Sequence, residues 1–412
     1  MLPVDVETGR SLLRSAELCR RAREIILGGS QTISKQPERY DAERFPAYIE
    51  SGRGCRLMDV DGNEYIDYVM ALGPVILGYC YPAVDKAVRE QLARGVLFSG
   101  NSPLEVYLAE KLVSTIPNAG CVRYFKSGAE ATSAAVRLAR NFTGRDKVVS
   151  CGYSGWHDWW TVKKSEPGIP AALRPLTLDL PYGDINRARE LFRTAGTEIA
   201  CAVIETVVLD CDPDFLHETI QLAHAAGALV VLDEIITGFR TGVSGIQGRF
   251  GLNADLATFG KAIANGFPLS AVTGRKEIFD AARDLWISTT FGGETLSLAA
   301  ALATIAELED PALLPRMEGL GERLMQGWKQ TLERFCRVRA DVTGLPTIPV
   351  LRFQDGAKKQ QDQFIAGMLD RGFITRRNHY WFITASHTEG DIDSTLAACE
   401  RTFREIHDSG AA

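Results

Sequence analysis

Lys261 is the only charged residue in TFGKAIANGFPLSAVTG, residues 258–274. Apolar surroundings disfavour an ammonium, so its pKa falls from about 10.4 toward neutrality. A neutral amine is a nucleophile toward carbonyl carbon. The ordinary alternative is a lysine whose stem is covered while its head reaches water. Two acids stand where apolar runs stop: Asp233 in ALVVLDE and Glu205 in CAVIET. A carboxylate there is costly unless a positive group meets it. It could equally cap a helix or pair with a neighbour such as Arg240. In VRYFKSGAEATSAAVRLAR an apolar run turns at Ser127-Gly128-Ala129 into a helical pattern. Free N–H groups at such a helix start bind anions, and phosphate suits them, although ordinary strand-to-helix turns look alike. The stretch GYSGWHDWW, 152–160, offers aromatic faces that could stack on a flat ring or plug a core.

A nucleophilic amine, a buried carboxylate, an anion cradle and a stacking ring together match the needs of pyridoxal 5'-phosphate (PLP). That cofactor has an aldehyde, a ring nitrogen to keep protonated, a phosphate and a planar face. No cluster of histidines or cysteines shows metal-ligand spacing, so no metal is expected.

These residues need elements to hold them at one place. VRYF, KVVSC, CAVIET, ALVVLDE, LATF and LSAVTG read as buried strands. LEVYLAEKLVSTI, EATSAAVRLARNFT, INRARELFRTA and HETIQLAHAAG read as the helices between them. Apolar strands alternating with helices predict a mostly parallel sheet covered on both faces, with ligands beyond the carboxyl ends of the strands. GCRLMDVDGNEYIDYV reads as a hairpin around Asp61-Gly62-Asn63. The first 29 residues read as an amphipathic helix. From about residue 310, a long helix, short strands and a final helix, DIDSTLAACERTFREI, suggest a smaller α+β domain. The expected division is 1–55 as an N-terminal part of the small domain, 56–308 as the cofactor-binding large domain and 309–412 as the C-terminal small domain.

The 412 residues carry a net charge of −6, with 45% hydrophobic and 24% charged side chains. No basic excess points to nucleic acid, and no apolar run reaches the roughly 18 residues of a membrane span. Nine scattered cysteines without a CxxC pair suggest free thiols in a reducing, cytoplasmic setting.

The sequence resembles the class III, fold type I aminotransferases, most closely the glutamate-1-semialdehyde aminomutase-like branch. DVDGNEYIDYV, FKSGAEATSAAVRLARNFTGRDKVV, VVLDEIITGFR, GIQGRFGLNADLATFGKAIANGFPLSAVTG and TTFGGETLSLAAA look like family segments in family order. The resemblance implies a fold type I transferase with a mostly parallel large domain and a smaller α+β domain. It implies that Lys261 forms the Schiff base with PLP and shuttles protons, and that Asp233 pairs with the ring nitrogen. It places Ser127, Gly128 and Ala129 at the phosphate, Tyr153 on the ring and Glu205 near the cofactor. Thr290 matches a threonine that reaches the neighbouring subunit's cofactor phosphate, which implies a homodimer. The reaction implied is transfer of an amino group from a donor amino acid, such as glutamate, to an aldehyde or ketone.

Departures bear on substrate. Lys35 stands where the aminomutase has a carboxylate-gripping arginine, and lysine offers no bidentate fork. Leu72 replaces a tryptophan, Thr206 a proline and Ser154 a histidine; Glu294 stands where asparagine is usual. These changes favour an acceptor larger or more polar than the aminomutase substrate, such as a sugar, an aminocyclitol or a natural-product intermediate. An aminomutase that moves the amino group within one molecule is the alternative. Arg376 and His379, in RRNHYWFITASHTEGDID, are further candidates for substrate contact.

Overall fold

The computed structural model describes residues 10–207 and 209–409. The N-terminal helix runs Leu13–Ile25; the expectation of helix over residues 1–9 lies outside the described residues. Three strands follow: β1 (Ile49–Arg53), β2 (Arg56–Asp59) and β3 (Glu64–Asp67), paired antiparallel in that order. The Asp61-Gly62-Asn63 turn joins β2 to β3. Its register is pinned by Asp59 Oδ1, which accepts from the Asp61 and Asn63 N–H groups at 3.0 and 2.8 Å.

From Pro82 to Pro311 the chain forms a compact unit around a seven-stranded sheet of described residues. Its strands are β4 (Cys121–Phe125), β5 (Lys147–Cys151), β6 (Thr177–Asp179), β7 (Ile199–Glu205), β8 (Leu229–Glu234), β9 (Leu256–Phe259) and β10 (Ser270–Gly274). The order across the sheet is β4-β10-β9-β8-β7-β5-β6. Only β10 runs against its neighbours, pairing antiparallel with β4 and β9. Every residue of β7, β8, β9 and β10 is buried, as a sheet covered on both faces requires. β6 is the strand that sequence patterning misses, since three residues are too few to show a period.

The helix Gly128–Thr143 packs its Ala131, Ala135 and Leu138 face with Val148, Val203, Val231 and Val272 of the sheet. Small residues let its backbone approach the sheet, and each fully buried aliphatic side chain there contributes about 1.5–3 kcal/mol. The helix ends at Gly144, in the left-handed conformation (φ 65°) that favours glycine as a C-terminal stop.

The remaining elements are a helix Leu313–Arg334, strands β11 (Ala340–Leu345) and β12 (Ile348–Phe353) paired as a hairpin, a helix Lys358–Asp370, β13 (Phe373–Ile374) and a helix Glu389–Asp408. β13 joins β3 in parallel, with Phe373 opposite Ile66 and Ile374 opposite Asp67. That pairing places residues up to Tyr81 in one compact unit with those from Ala312 on. Residues 56–81 therefore lie with the terminal segments, whereas the sequence expectation put them in a 56–308 domain. The physical reason is a hydrogen-bonded sheet whose fourth strand comes from the tail. Among the described residues no helix is long and apolar enough to cross a membrane, and all nine cysteines are free thiols.

Candidate active site

β7, β8 and β9 are neighbours, and their carboxyl ends deliver Glu205, Asp233 and, one residue past β9, Gly260-Lys261. Glu205 and Asp233 stand opposite each other in the parallel register. Asp233 is 4% exposed. Its Oδ1 accepts from the Ile235 N–H at 3.1 Å and the Thr258 hydroxyl at 3.3 Å. Burial pushes its carboxyl up to about 6; the Ile235 N–H, Ser154, Lys261 and Thr258 all pull the other way. Glu205 is 8% exposed and accepts from the Tyr153 N–H at 2.9 Å. Burial, helped by the Asp233 charge, raises it to about 8 against the Tyr153 N–H, Lys261 and Lys163.

Lys261 sits between these acids in electrostatic terms. Its pKa is lowered, chiefly by burial, while Glu205 and Asp233 oppose the shift and Arg240 adds to it. Among the described residues its amine makes no hydrogen bond or close ion pair. Its backbone is left-handed, φ 45°, a strained state for a residue with a Cβ and one that concentrates at functional sites. Arg240, offered from sequence as a partner for the acids, is fully buried and adds a like charge near Lys261.

The second acid of the Asp-Glu pair does something else. Glu234 is fully buried and accepts from the Ile246 and Gln247 N–H groups at 3.0 and 2.8 Å, and from the Thr237 hydroxyl. It braces the loop after β8. Thr206, where the resemblance led one to expect proline, bonds the Thr237 hydroxyl at 2.7 Å and so ties the end of β7 to that loop. Proline has no hydroxyl to do this.

At the start of the helix Gly128–Thr143, Ser127 and Glu130 form a capping box. Glu130 Oε2 takes the Ser127 N–H at 2.8 Å, the Lys126 N–H at 3.1 Å and the Ser127 hydroxyl at 3.0 Å. Of the three residues expected at a phosphate, Ser127 is thus engaged by a carboxylate. Among the described residues the Gly128 and Ala129 N–H groups make no hydrogen bond, as the first donors of a helix lack an intrahelical partner. The Tyr153 loop lies over them: a Cβ on Gly155 (φ 103°) would come within 2.6 Å of the Ala129 Cβ. Tyr153 is 56% exposed, and its ring meets Trp160 edge-on at 4.8 Å and 77°. Trp160 is itself fixed by its indole N–H to the Gly152 carbonyl at 3.0 Å. Trp160, Thr258 and Glu234 went unnamed as supports from sequence. Thr258 and Glu234 were marked as buried only through the strands LATF and ALVVLDE that contain them.

These residues fit PLP. A lone amine, a buried carboxylate on the next strand, two unpaired N–H groups at a long helix's start and an exposed aromatic face converge at one edge of the sheet. Thr290 is not among them. It lies exposed in the loop before the helix Thr295–Leu308 and lines a hollow of about 650 Å³ with Leu97, Phe98, Tyr124 and Gly292. Neither Lys261 nor Asp233 lines that hollow.

In the terminal unit, Asp67 is buried, its carboxyl raised to about 6 by burial. It accepts from the Val69 and Met70 N–H groups at 2.7 and 3.0 Å and from the Tyr79 hydroxyl at 2.8 Å. These bonds hold a left-handed run at Met70, Ala71 and Leu72, with φ of 45°, 55° and 72°. Leu72 is thus presented by strained backbone. Lys35 is exposed and helps keep Asp67 ionised. Arg376 is half-buried and donates to Ser34 Oγ at 3.3 Å. His379 Nδ1 lies 3.4 Å from the Tyr380 carbonyl.

The family described as Aminotransferase class-III matches residues 39–388, and the chain belongs to it. Among curated proteins it is 37% identical to a glutamate-1-semialdehyde 2,1-aminomutase of Thermus thermophilus over 391 residues, covering 87% of this chain and 92% of that one. A glutamate-1-semialdehyde 2,1-aminomutase of Methanothermobacter thermautotrophicus is 34% identical over 422 residues, 95% and 99% of the two chains. Among solved structures, the PLP internal aldimine form of the Sphingopyxis FumI protein superposes with a TM-score of 0.90 at 29% identity, covering 97% and 98%. An omega-transaminase from Sphaerobacter thermophilus gives 0.88 at 26%, covering 95% and 97%. The chain has the fold type I architecture and is a PLP-dependent enzyme of the aminotransferase and aminomutase group. None of the relatives named here is described by a sugar or an aminocyclitol, so that expected acceptor finds no support in them.

Proposed function

We propose that the chain moves an amino group within one small amino-carbonyl acid, as an aminomutase of the glutamate-1-semialdehyde type. The curated relatives support this over the expected two-substrate reaction, because they share that description across nearly their whole length. The observation that carries the chemistry is the unpaired Lys261 amine beside Asp233 and Glu205.

In this reading PLP, when bound, supplies the electron sink that stabilises negative charge at the substrate carbon. Lys261 Nζ would hold the cofactor through its aldehyde carbon, and as a neutral amine it could take up and return a proton at the substrate. Its lowered pKa suits both tasks, since a neutral amine is nucleophile and base. Asp233 would hold the proton on the ring nitrogen. Gly128 and Ala129 would donate to the phosphate, and Tyr153 would cover the ring. Glu205, protonated near neutral pH, orients the Tyr153 loop through that residue's N–H. Thr290 of a second copy would complete the phosphate site, making the working unit a homodimer. The exposed Leu97, Phe98, Val106 and Phe291 give that second copy an apolar face to cover.

A second reading, transamination between a donor such as glutamate and a separate carbonyl acceptor, is favoured by Leu72 and Lys35 in place of the aminomutase tryptophan and arginine. Glutamate-1-semialdehyde offered alone separates the two. The mutase isomerises it with no keto acid released. Conversion that requires a separate amino donor and yields one keto acid per turnover would replace the first reading with the second.

A further inference from the structure

Lys163 follows the aromatic stretch GYSGWHDWW, inside the short turn Val162–Lys164. Its side chain is 11% exposed, low for a lysine, whereas the neighbouring Lys164 is exposed. The Lys163 ammonium uses its three N–H groups within the fold. It donates to Asp179 Oδ1 at 2.7 Å, to Ser150 Oγ at 3.2 Å and to the Gly152 carbonyl at 3.2 Å. It also stands over the Trp160 ring, 5.0 Å from its centre. The Asp179 carboxylate is 59% exposed, so that pair adds little stability and does not by itself account for withdrawing a lysine from water. The other two oxygens are neutral. What the burial secures is geometry.

That geometry concerns one peptide unit. The Gly152 carbonyl and the Tyr153 N–H belong to the same planar group. The carbonyl accepts from Lys163 and, at 3.0 Å, from the Trp160 indole. The N–H donates to Glu205 Oε2 at 2.9 Å. A planar group held at both ends cannot turn about the chain, and its orientation sets where the Tyr153 side chain leaves the backbone. Gly152 reaches this orientation at φ 85°, which glycine adopts readily. The Tyr153 ring is exposed and meets Trp160 edge-on, so its direction is set by this peptide and by Trp160 rather than by an enclosing core. Lys163 touches both. Its charge also opposes the burial that raises the Glu205 carboxyl, so one cation bears on both ends of the peptide unit. All these residues lie in the unit Pro82–Pro311.

We infer that Lys163 is a positioning residue for the cofactor ring: it locks the Gly152–Tyr153 peptide and the Trp160 indole, and through them fixes the angle of the Tyr153 ring. The inference rests on the reading that Tyr153 covers the cofactor. Lys163 makes and breaks no bond in the reaction; it acts at one remove. A ring already held at its working angle loses less freedom when the cofactor arrives, so the hold is expressed as affinity.

The test compares Lys163→Met, Lys163→Arg and Lys164→Met by two readouts. One is the dissociation constant for PLP. The other is the visible circular dichroism per bound cofactor at saturation, which reports the asymmetry of the ring's surroundings. Lys163→Met should weaken PLP about 10-fold, the size of one hydrogen bond to a charged donor, and should lower the dichroism. Lys163→Arg, which keeps the charge and the donors, should recover most of both. Lys164→Met should match wild type, since Lys164 shares the Trp160 ring, at 5.6 Å, while the Gly152 carbonyl is held by Lys163. Equal losses from Lys164→Met and Lys163→Met would overturn the inference. Tyr153→Leu is then combined with Lys163→Met. If Lys163 acts through the Tyr153 ring, its removal adds less than about 2-fold in the Tyr153→Leu background. Full, additive losses would overturn the inference by showing that Lys163 serves the fold alone. Losses in Tyr153→Leu with none in Lys163→Met would overturn it too and leave the reading of Tyr153 standing. Wild-type affinity and dichroism in Tyr153→Leu would remove that reading, and the inference with it. Lys163→Gln, equally uncharged but polar, goes through the same cycle, so that poor folding of the Met variant does not decide the outcome.

Discussion

Lys261 and Asp233 were legible as single residues because each breaks an apolar pattern, and a charge in such a run needs a reason. Glu205 was legible in place but not in state. Its proton depends on burial by three strands and on the Asp233 charge beside it, which no spacing encodes. The folded chain keeps that proton up to about pH 8, while the unfolded chain releases it near 4.5. Between these values the folded state binds more protons, so the contribution is full below 4.5 and lost as pH rises through 8. The melting temperature of the cofactor-free protein should therefore fall from pH 5 to pH 8, and Glu205→Gln should flatten that fall. Parallel curves for the two proteins would show that Glu205 is ionised throughout.

Strands and helices were read well where patterns were long. The buried strands that end at the site are uninterrupted apolar runs, and the turn at Ser127-Gly128-Ala129 leads into a clear helical pattern. What sequence did not show is that the capping box spends Ser127 on Glu130, leaving Gly128 and Ala129 as the free donors. Nor did it show why GYSGWHDWW contains Gly155. That residue lets the Tyr153 loop lie against Ala129, at a φ of 103° that L side chains rarely adopt. Gly155→Ala should cost about 1–3 kcal/mol from the backbone state, with steric strain adding to it. It should also weaken cofactor retention by moving the Tyr153 ring. Unchanged melting and retention would mean that the loop finds another path without loss.

At the scale of the whole molecule, the fold class was legible from alternating strands and helices, but the unit boundary was not. Residues 56–81 look like the start of a continuous domain until β13, some 300 residues later, is seen to pair with β3. Long-range pairing of a two-residue strand leaves no local signal. The place of Thr290, apart from Lys261 within one chain, belongs to the same scale. If a second copy brings it to the phosphate, Thr290→Ala should release cofactor severalfold faster on dialysis while the oligomer's size is unchanged. Retention equal to wild type would remove Thr290 from the site.

The central claim is that Lys261 is the amine that bonds the cofactor. Borohydride reduction of the PLP-loaded enzyme, followed by peptide mass mapping, tests it directly. The account predicts one added pyridoxyl phosphate per chain on the peptide that contains Lys261, and none after Lys261→Ala. Label on another lysine, or full labelling of the Lys261→Ala protein, would contradict it.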